Sequence, residues 1–297
     1  MITTPVSPTK GSSYSAARPA MGKTSFAAPR VSDIWRAPLT DLPVRDELIR
    51  QYVPLSREME LLEVGPGNGF PAFRMMRAVA RLTLLEISPE SSARLRRVFE
   101  RVPNVNVVHA DICRPGTGEE HACGFDAIVA IEVFEMLVSP AHALRNMAAM
   151  LRPGGSLYMQ FPNYKNSEWP TSYATRKALE QDLRAAGFAD WKFYTLRLTP
   201  WSHLLFHWLH EVPLLWYRSR KQAQRGPQFS LTYDETWAFH HASRFESWKI
   251  PIHLYWAAIM LAMRLGGAVF RRVECGEKIL SRNLFVQASK ASKDEKE

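Results

Sequence analysis

Three carboxylates stand where short apolar runs end. Glu63 lies in LLEV (61–64), just before a turn built on Gly65, Gly67 and Gly69. Glu86 closes the next run and Asp111 the one after it. A carboxylate beside a phosphate-cradling loop would repel its ligand, whereas one beside an ammonium or sulfonium would attract it. An acidic side chain at the end of the second strand can accept hydrogen bonds from both ribose hydroxyls. A third, one strand further on, can accept from the exocyclic amino group of adenine. The glycine spacing is G-x-G-x-G, and Phe70 stands where a dinucleotide fingerprint places its last glycine. Together these residues suit an adenosine carrying an amino-acid group. They suit a diphosphate poorly, so a nicotinamide-dependent oxidoreductase is disfavoured.

The elements that must position them follow from the hydrophobic pattern. LLEV, LTLLEI (82–87), VNVVHAD (105–111), DAIVAI (126–131) and SLYMQF (156–161) are short, aliphatic and bounded by turn residues. Strands buried on both faces read this way. Between them, Ser88-Pro89 and Ser139-Pro140 each put a capping residue before a proline in the first helical turn. AHALRNMAAML stops at RPGG, and TRKALEQDLRAAGF carries Gly187 in the position that ends a helix. Two more strands are expected at WKFYTLRLT (191–199) and NLFVQAS (283–289). The alternation predicts an α/β fold: a doubly wound, Rossmann-like, seven-stranded, mostly parallel sheet. Ligands of such sheets sit at the carboxyl ends of the strands, near the switch in strand order.

On these residues the sequence resembles the class I S-adenosylmethionine-dependent methyltransferases of small-molecule type. The matching residues are LEVGPGNG (62–69), LLEIS (84–88), HADIC (109–113), FDAIVAIEVFEML (125–137) and LRPGGSL (151–157). The resemblance implies that S-adenosylmethionine is the cofactor. It implies that Glu63 and the backbone of Gly65 and Gly67 hold the methionine moiety, with Gly69 also among the cofactor-binding residues. Glu86 would bind ribose, with Ile87 packed on the adenine. Asp111 and Ile112 would frame that ring, and Glu132 would face the methyl-transfer site. Many relatives carry Glu-His three residues after that acidic position. Here the run is Glu132-Val133-Phe134-Glu135-Met136, which lacks the histidine and puts a metal in doubt. None is expected.

Residues 200–281 are read as a helical, aromatic-rich insertion between the last two strands, with no clear strand of its own. HLLFHWLHEVPLLWY (203–217) and IPIHLYWAAIMLAM (250–263) are strongly apolar. The second falls short of the ~20 residues that span a bilayer. A lid packed on the core is one reading. The other is a lid that also grips a lipophilic acceptor or touches a membrane surface. The expected acceptor is a small hydrophobic molecule such as a lipid, isoprenoid, aromatic or polyketide-like compound. Deleting 200–275 is expected to abolish turnover and leave some cofactor binding. His203, His207 and His210 fall on one face of a helix. No catalytic residue is assigned, but His207 and His240 (or its neighbour His241) are the candidate bases.

The chain has 297 residues and a formal net charge of +9, with its basic residues scattered or in short clusters. No nucleic-acid partner is expected from that distribution. Cys113, Cys123 and Cys275 are too few and scattered for a disulfide framework or a zinc site. A reducing, cytoplasmic compartment is expected, with membrane association through 200–281 left open. Residues 1–32 contain no acidic residue and read as a disordered tail in preference to a transit peptide. Residues 33–60 read as an N-terminal cap helix region, 61–199 plus 282–290 as the cofactor-binding core, and 291–297 as a charged tail. The rival readings are a protein or nucleic-acid methyltransferase, and a protein that binds the cofactor without turnover.

Overall fold

Each apolar run that ends in a functional residue forms a strand of one sheet. In this computed structural model β1 (Glu60–Val64) pairs in parallel with β2 (Arg81–Glu86) and with β4 (Phe125–Ile131). Outward from these, β3 (Val105–His109) adds to β2, and β5 (Leu151–Pro162) adds to β4, again in parallel. Next come β6 (Phe188–Leu198) and β8 (Asn283–Lys290), β8 running antiparallel between β5 and β6. The structure describes residues 42–292 apart from 68, 70, 123, 164–170, 174, 214–215, 217–218, 221–248 and 276–282. The expected N-terminal tail, Phe70, Cys123, His240, His241 and the last five residues lie outside the described residues.

The sheet has eight strands where seven are expected. β7 (Phe270–Glu274) pairs antiparallel with β6 on its outer side, giving the order β3-β2-β1-β4-β5-β8-β6-β7. Its sequence, FRRVE, buries only Phe270. An edge strand bonded on one side needs no apolar alternation, so the pattern of buried strands misses it. β3 at the opposite edge is likewise only half-buried, against the expectation of burial on both faces.

Alternation within the strands divides the core in two. Leu62, Val64, Ile128 and Leu157 pack with Leu144 and Met147 of α5 (Pro140–Met150) and with Leu179 and Leu183 of α6 (Arg176–Ala186). Leu61, Val129 and Tyr158 belong to the opposite layer. There they join Leu48 and Ile49 of α1 (Leu42–Tyr52), and Leu95 and Phe99 of α3 (Pro89–Phe99). A short helix, α2 (Ala72–Met75), joins this half through Ala72 and Met75, while another, α4 (Thr117–Glu120), packs on α5 in the first layer, where the Gly118 N–H donates to Asn146 Oδ1 at 3.1 Å.

The helix signals are met unevenly. Ser88 caps α3 by accepting from the Ser91 N–H at 3.3 Å, and Gly187 ends α6 at φ 98°. Ser139 precedes a proline in the same way but makes no capping bond, because its hydroxyl sits 2.8 Å from His142 Nδ1. α5 ends at Met150, and Leu151 already pairs with Phe125. The RPGG stretch is therefore an irregular start of β5, with the register slipping before Ala127 meets Ser156.

The expected insertion packs into the core in part, and it contains the strand β7 where no strand is expected. α7 (Pro200–Phe206) continues into a π-helical turn at His207–Glu211. α8 (Lys249–Leu265) buries Ile259, Met260 and Met263 in the same layer as α1. Arg264 of α8 donates from Nε and Nη2 to Oε2 of the fully buried Glu47, at 2.9 and 2.6 Å. Arg50 donates to the same carboxylate. α8 is thus clamped to α1 and welded through β7 to the sheet.

Candidate cofactor site

The chain leaves β1 and β4 toward opposite halves of the sheet, and such a switch opens a crevice at the carboxyl ends. The glycine turn lies at that edge. Gly65 has φ 66°, and its N–H donates to the Leu85 carbonyl of β2 at 2.9 Å. A Cβ there would stand 2.5 Å from Val133 Cγ2, so the turn lies flush against the loop after β4. At Gly69 a Cβ would press on Leu95 and Phe99 of α3. Gly67 differs: it also has positive φ, yet nothing lies within 4 Å of where its Cβ would be. The backbone is open to a ligand at that point and closed on either side. Arg94 of α3 donates to the Gly67 carbonyl at 3.2 Å and steadies the turn.

The carboxylates are spread along this edge. Glu63 is buried on β1, in register with Leu84 of β2 and Val129 of β4. Glu86 is buried at the end of β2, where Oε1 accepts the Ser88 N–H at 2.8 Å. That bond fixes the rotamer of the group nearest the expected ribose. Asp111 lies two residues past the end of β3, in a turn closed by the Cys113 N–H donating to its Oδ1 at 2.8 Å. Thr117 and Asn146 hold this turn from behind: the Thr117 hydroxyl donates to the Asp111 carbonyl, and Asn146 Nδ2 donates to those of Ile112 and Arg114.

The two isoleucines expected beside adenine part company. Ile87 is 61% exposed, an apolar surface lying open between Glu86 and Ser88. Ile112 is buried in the α5 and α6 layer, so its side chain is core. Glu132, half-buried, has φ 52° and is the one non-glycine residue at positive φ among the described residues. Its N–H donates to the Gln160 carbonyl of β5 at 2.7 Å. A backbone held in this region costs of order 1–3 kcal/mol, and such strain clusters at functional sites. Glu135 is buried in the following short helix, while Met136, in the place of the family histidine, is 58% exposed. Among the described residues no three His, Cys, Asp or Glu side chains form a metal-holding group.

Other residues enter the picture from structure alone. Gln160 is buried and donates from Nε2 to Asn283 Oδ1 at 2.8 Å, tying β5 to β8 near the carboxyl edge. A glutamine inside the apolar run SLYMQF was the available signal. Asn163 holds residue 173 at both backbone groups: Oδ1 accepts the Tyr173 N–H at 2.7 Å, and Nδ2 donates to its carbonyl at 3.0 Å. Thr171 donates to the carbonyls of Glu135 and Leu137. The segment at 171–173 therefore bridges the loops after β4 and β5. The Tyr173 hydroxyl donates to Asp182 at 2.6 Å, and burial together with that carboxylate pushes its pKa far up. It is a structural tie in the neutral state.

His207 lies in the π-helical turn, its ring 6.3 Å from that of His203 and nearly parallel to it. Trp208 meets it edge-on at 5.5 Å. The regular one-face spacing of the three histidines is interrupted at this turn, and the His210 side chain lies outside the described residues.

With this geometry in place, the profile of the family described as a methyltransferase domain matches residues 41–192, more than half of the chain. The chain belongs to the methyltransferase domain family. The matched span runs from α1 to the first part of β6, and it contains every carboxylate and glycine discussed above. An uncharacterized methyltransferase of Mycobacterium tuberculosis (strain ATCC 25618 / H37Rv) is 30% identical over 127 residues, covering 42% of this chain and 62% of its own length. A ubiquinone biosynthesis O-methyltransferase of Xanthomonas campestris pv. campestris (strain B100) is 28% identical over 121 residues, covering 41% of this chain and 50% of its own. The chain thus spans between half and two thirds of these relatives. A putative sarcosine dimethylglycine methyltransferase from Galdieria sulphuraria superposes with a TM-score of 0.49 at 15% identity, covering 84% of this chain and 85% of its own. The helices α7 and α8 and the strand β7 of this methyltransferase-domain chain all lie beyond the span that its family profile matches.

Proposed function

We propose that the protein transfers the methyl group of S-adenosylmethionine to a small, hydrophobic acceptor. The observation that carries the cofactor is the edge itself, where Gly67 is open, Ile87 is exposed, and Glu63, Glu86 and Asp111 line successive strand ends. These residues fit the molecule's chemistry. Glu63 answers the ammonium of the methionine moiety, with the Gly65 and Gly67 backbone beside it. Glu86, its rotamer set by Ser88, accepts from the ribose hydroxyls. Ile87 packs on the adenine and Asp111 accepts from its amino group. Bound there, the cofactor supplies an electrophilic methyl on a sulfonium, transferred to an aligned nucleophile. Glu132, strained at the end of β4, faces the transfer site and orients the acceptor.

The hydrophobic character of the acceptor rests on the apolar residues of α7 and α8 beyond the matched family span. The ubiquinone biosynthesis relative supports the same direction. The purified protein, supplied with S-adenosylmethionine labelled in its methyl group, is expected to label an organic-extractable component of a metabolite extract. Label recovered in protein or nucleic acid would refute the acceptor class. Cofactor binding with no transfer to any fraction would refute catalysis.

A further inference from the structure

The apolar side chains of α7 and α8 that do not enter the core form a patch at the surface. On α7 and the turn after it, Trp201 is 45% exposed, Leu204 50% and Trp208 60%. On α8, Leu261 is 60% exposed and Leu265 80%. The two helices present one surface because Trp201 joins them. Its indole Nε1 donates to the Ala262 carbonyl at 3.0 Å, and its ring lies on Gly266, where a Cβ would stand 1.9 Å from the indole. Exposed indoles and leucines gathered on one face, as distinct from scattered singly, mark a surface that something covers.

Charge says what covers it. Residues 218–225 hold Arg218, Arg220, Lys221 and Arg225 and no carboxylate. Arg220 sits over the exposed Trp216 ring at 4.4 Å. Exposed indoles and leucines followed in sequence by a basic stretch are the composition of a segment lying in the headgroup region of a bilayer, aromatic rings at the interface and cations on anionic lipid. No helix among the described residues is long and apolar enough to cross a membrane. We infer that this face docks the protein on the surface of an anionic bilayer, with Trp201, Leu204, Trp208, Leu261 and Leu265 entering the interface. This docking requires neither bound cofactor nor bound acceptor, so it can fail or hold separately from methyl transfer.

The test is co-sedimentation of the full chain, without cofactor, with vesicles of phosphatidylcholine containing phosphatidylglycerol and with vesicles of phosphatidylcholine alone. Binding is expected to the anionic vesicles and to weaken with salt. The double variant Leu204→Glu, Trp208→Glu changes two exposed side chains and leaves the Trp201 joint intact. Its partition coefficient is expected to fall about tenfold or more, with its thermal midpoint unchanged. Wild type that stays in the supernatant, or a variant that binds as well as wild type, overturns the proposal. A wild-type dimer that the double variant reduces to monomer, with no vesicle binding, assigns the face to a second copy of the chain instead.

Discussion

The two ends of the sheet are built on different logic. Along β3-β2-β1-β4, Glu63, Glu86, Asp111 and Glu132 each sit at or within two residues of a strand's carboxyl end, and their neighbours come from the adjacent strand or turn. At the β6-β7 flank, the same kinds of apolar residue do opposite jobs within one helix. Met260 and Met263 of α8 are buried, while Leu261 and Leu265 between and beyond them face outward. The first region is specified locally. The second is specified by its packing partners: α1, β6 and β7.

That contrast is breakable, and Met263 offers the largest effect. Its side chain is fully buried among residues from the sheet and from α1. Met263→Ala is expected to cost about 2–5 kcal/mol of stability, read by chemical denaturation, and to leave the cofactor dissociation constant of the folded protein unchanged. An unaltered unfolding midpoint with weakened cofactor binding would make the flank part of the cofactor site. The burial of Ile259, Met263 and Phe270 also revises the consequence of removing 200–275. Such a deletion strips the core and the outer strand, so loss of folding is the expected outcome, and point changes on the exposed face are the cleaner probe.

On the other side, Glu86→Ala should act in reverse. It deletes a charge-assisted acceptor for the ribose hydroxyls, a loss of about 1.5–3 kcal/mol, or tens of fold in affinity by calorimetric titration. Stability should move little beyond the loss of the Ser88 N–H partner. Equal affinity in the variant would remove Glu86 from the site.

The edge proposed for the cofactor was legible as structure because strand, glycine turn and carboxylate are contiguous in sequence. Glu63, the three glycines and Glu86 could be placed from the pattern of apolar runs alone. Ile112 was not, because whether an isoleucine after a strand points outward or into the α5 layer depends on helices packed later in the chain. Ser139 illustrates the same limit. Its Ser-Pro signal equals that of Ser88, but a histidine one turn on takes its hydroxyl. Glu132 was named as a site residue, while its positive φ had no sequence signal beyond its place after β4. β7 was invisible because an edge strand with one buried residue lacks periodicity. Gln160 was visible as a polar residue in an apolar run, but its partner Asn283 lies more than a hundred residues away.

The smallest effect expected concerns the clamp between α1 and α8, and it is read through pH. Burial by itself would raise the Glu47 carboxyl, but the hydrogen bonds from Arg50 and Arg264, with their charges, outweigh it and hold the group below its ordinary value. A carboxyl depressed in the folded state binds its proton more readily in the unfolded chain. Its contribution to stability is therefore complete above the ordinary glutamate range, about 4.3, and disappears as pH falls through the lower folded value. Arg264→Met removes one of the two cations and moves the folded value upward. At neutral pH the variant should be less stable by about 1.5 kcal/mol, a low figure because Arg50 remains and Arg264 is partly exposed. As the medium is made acidic, the wild-type and variant stabilities should converge, since both then carry a protonated Glu47. Urea denaturation across that range measures it. Curves that stay parallel would mean that Glu47 is not the group linking this flank to pH.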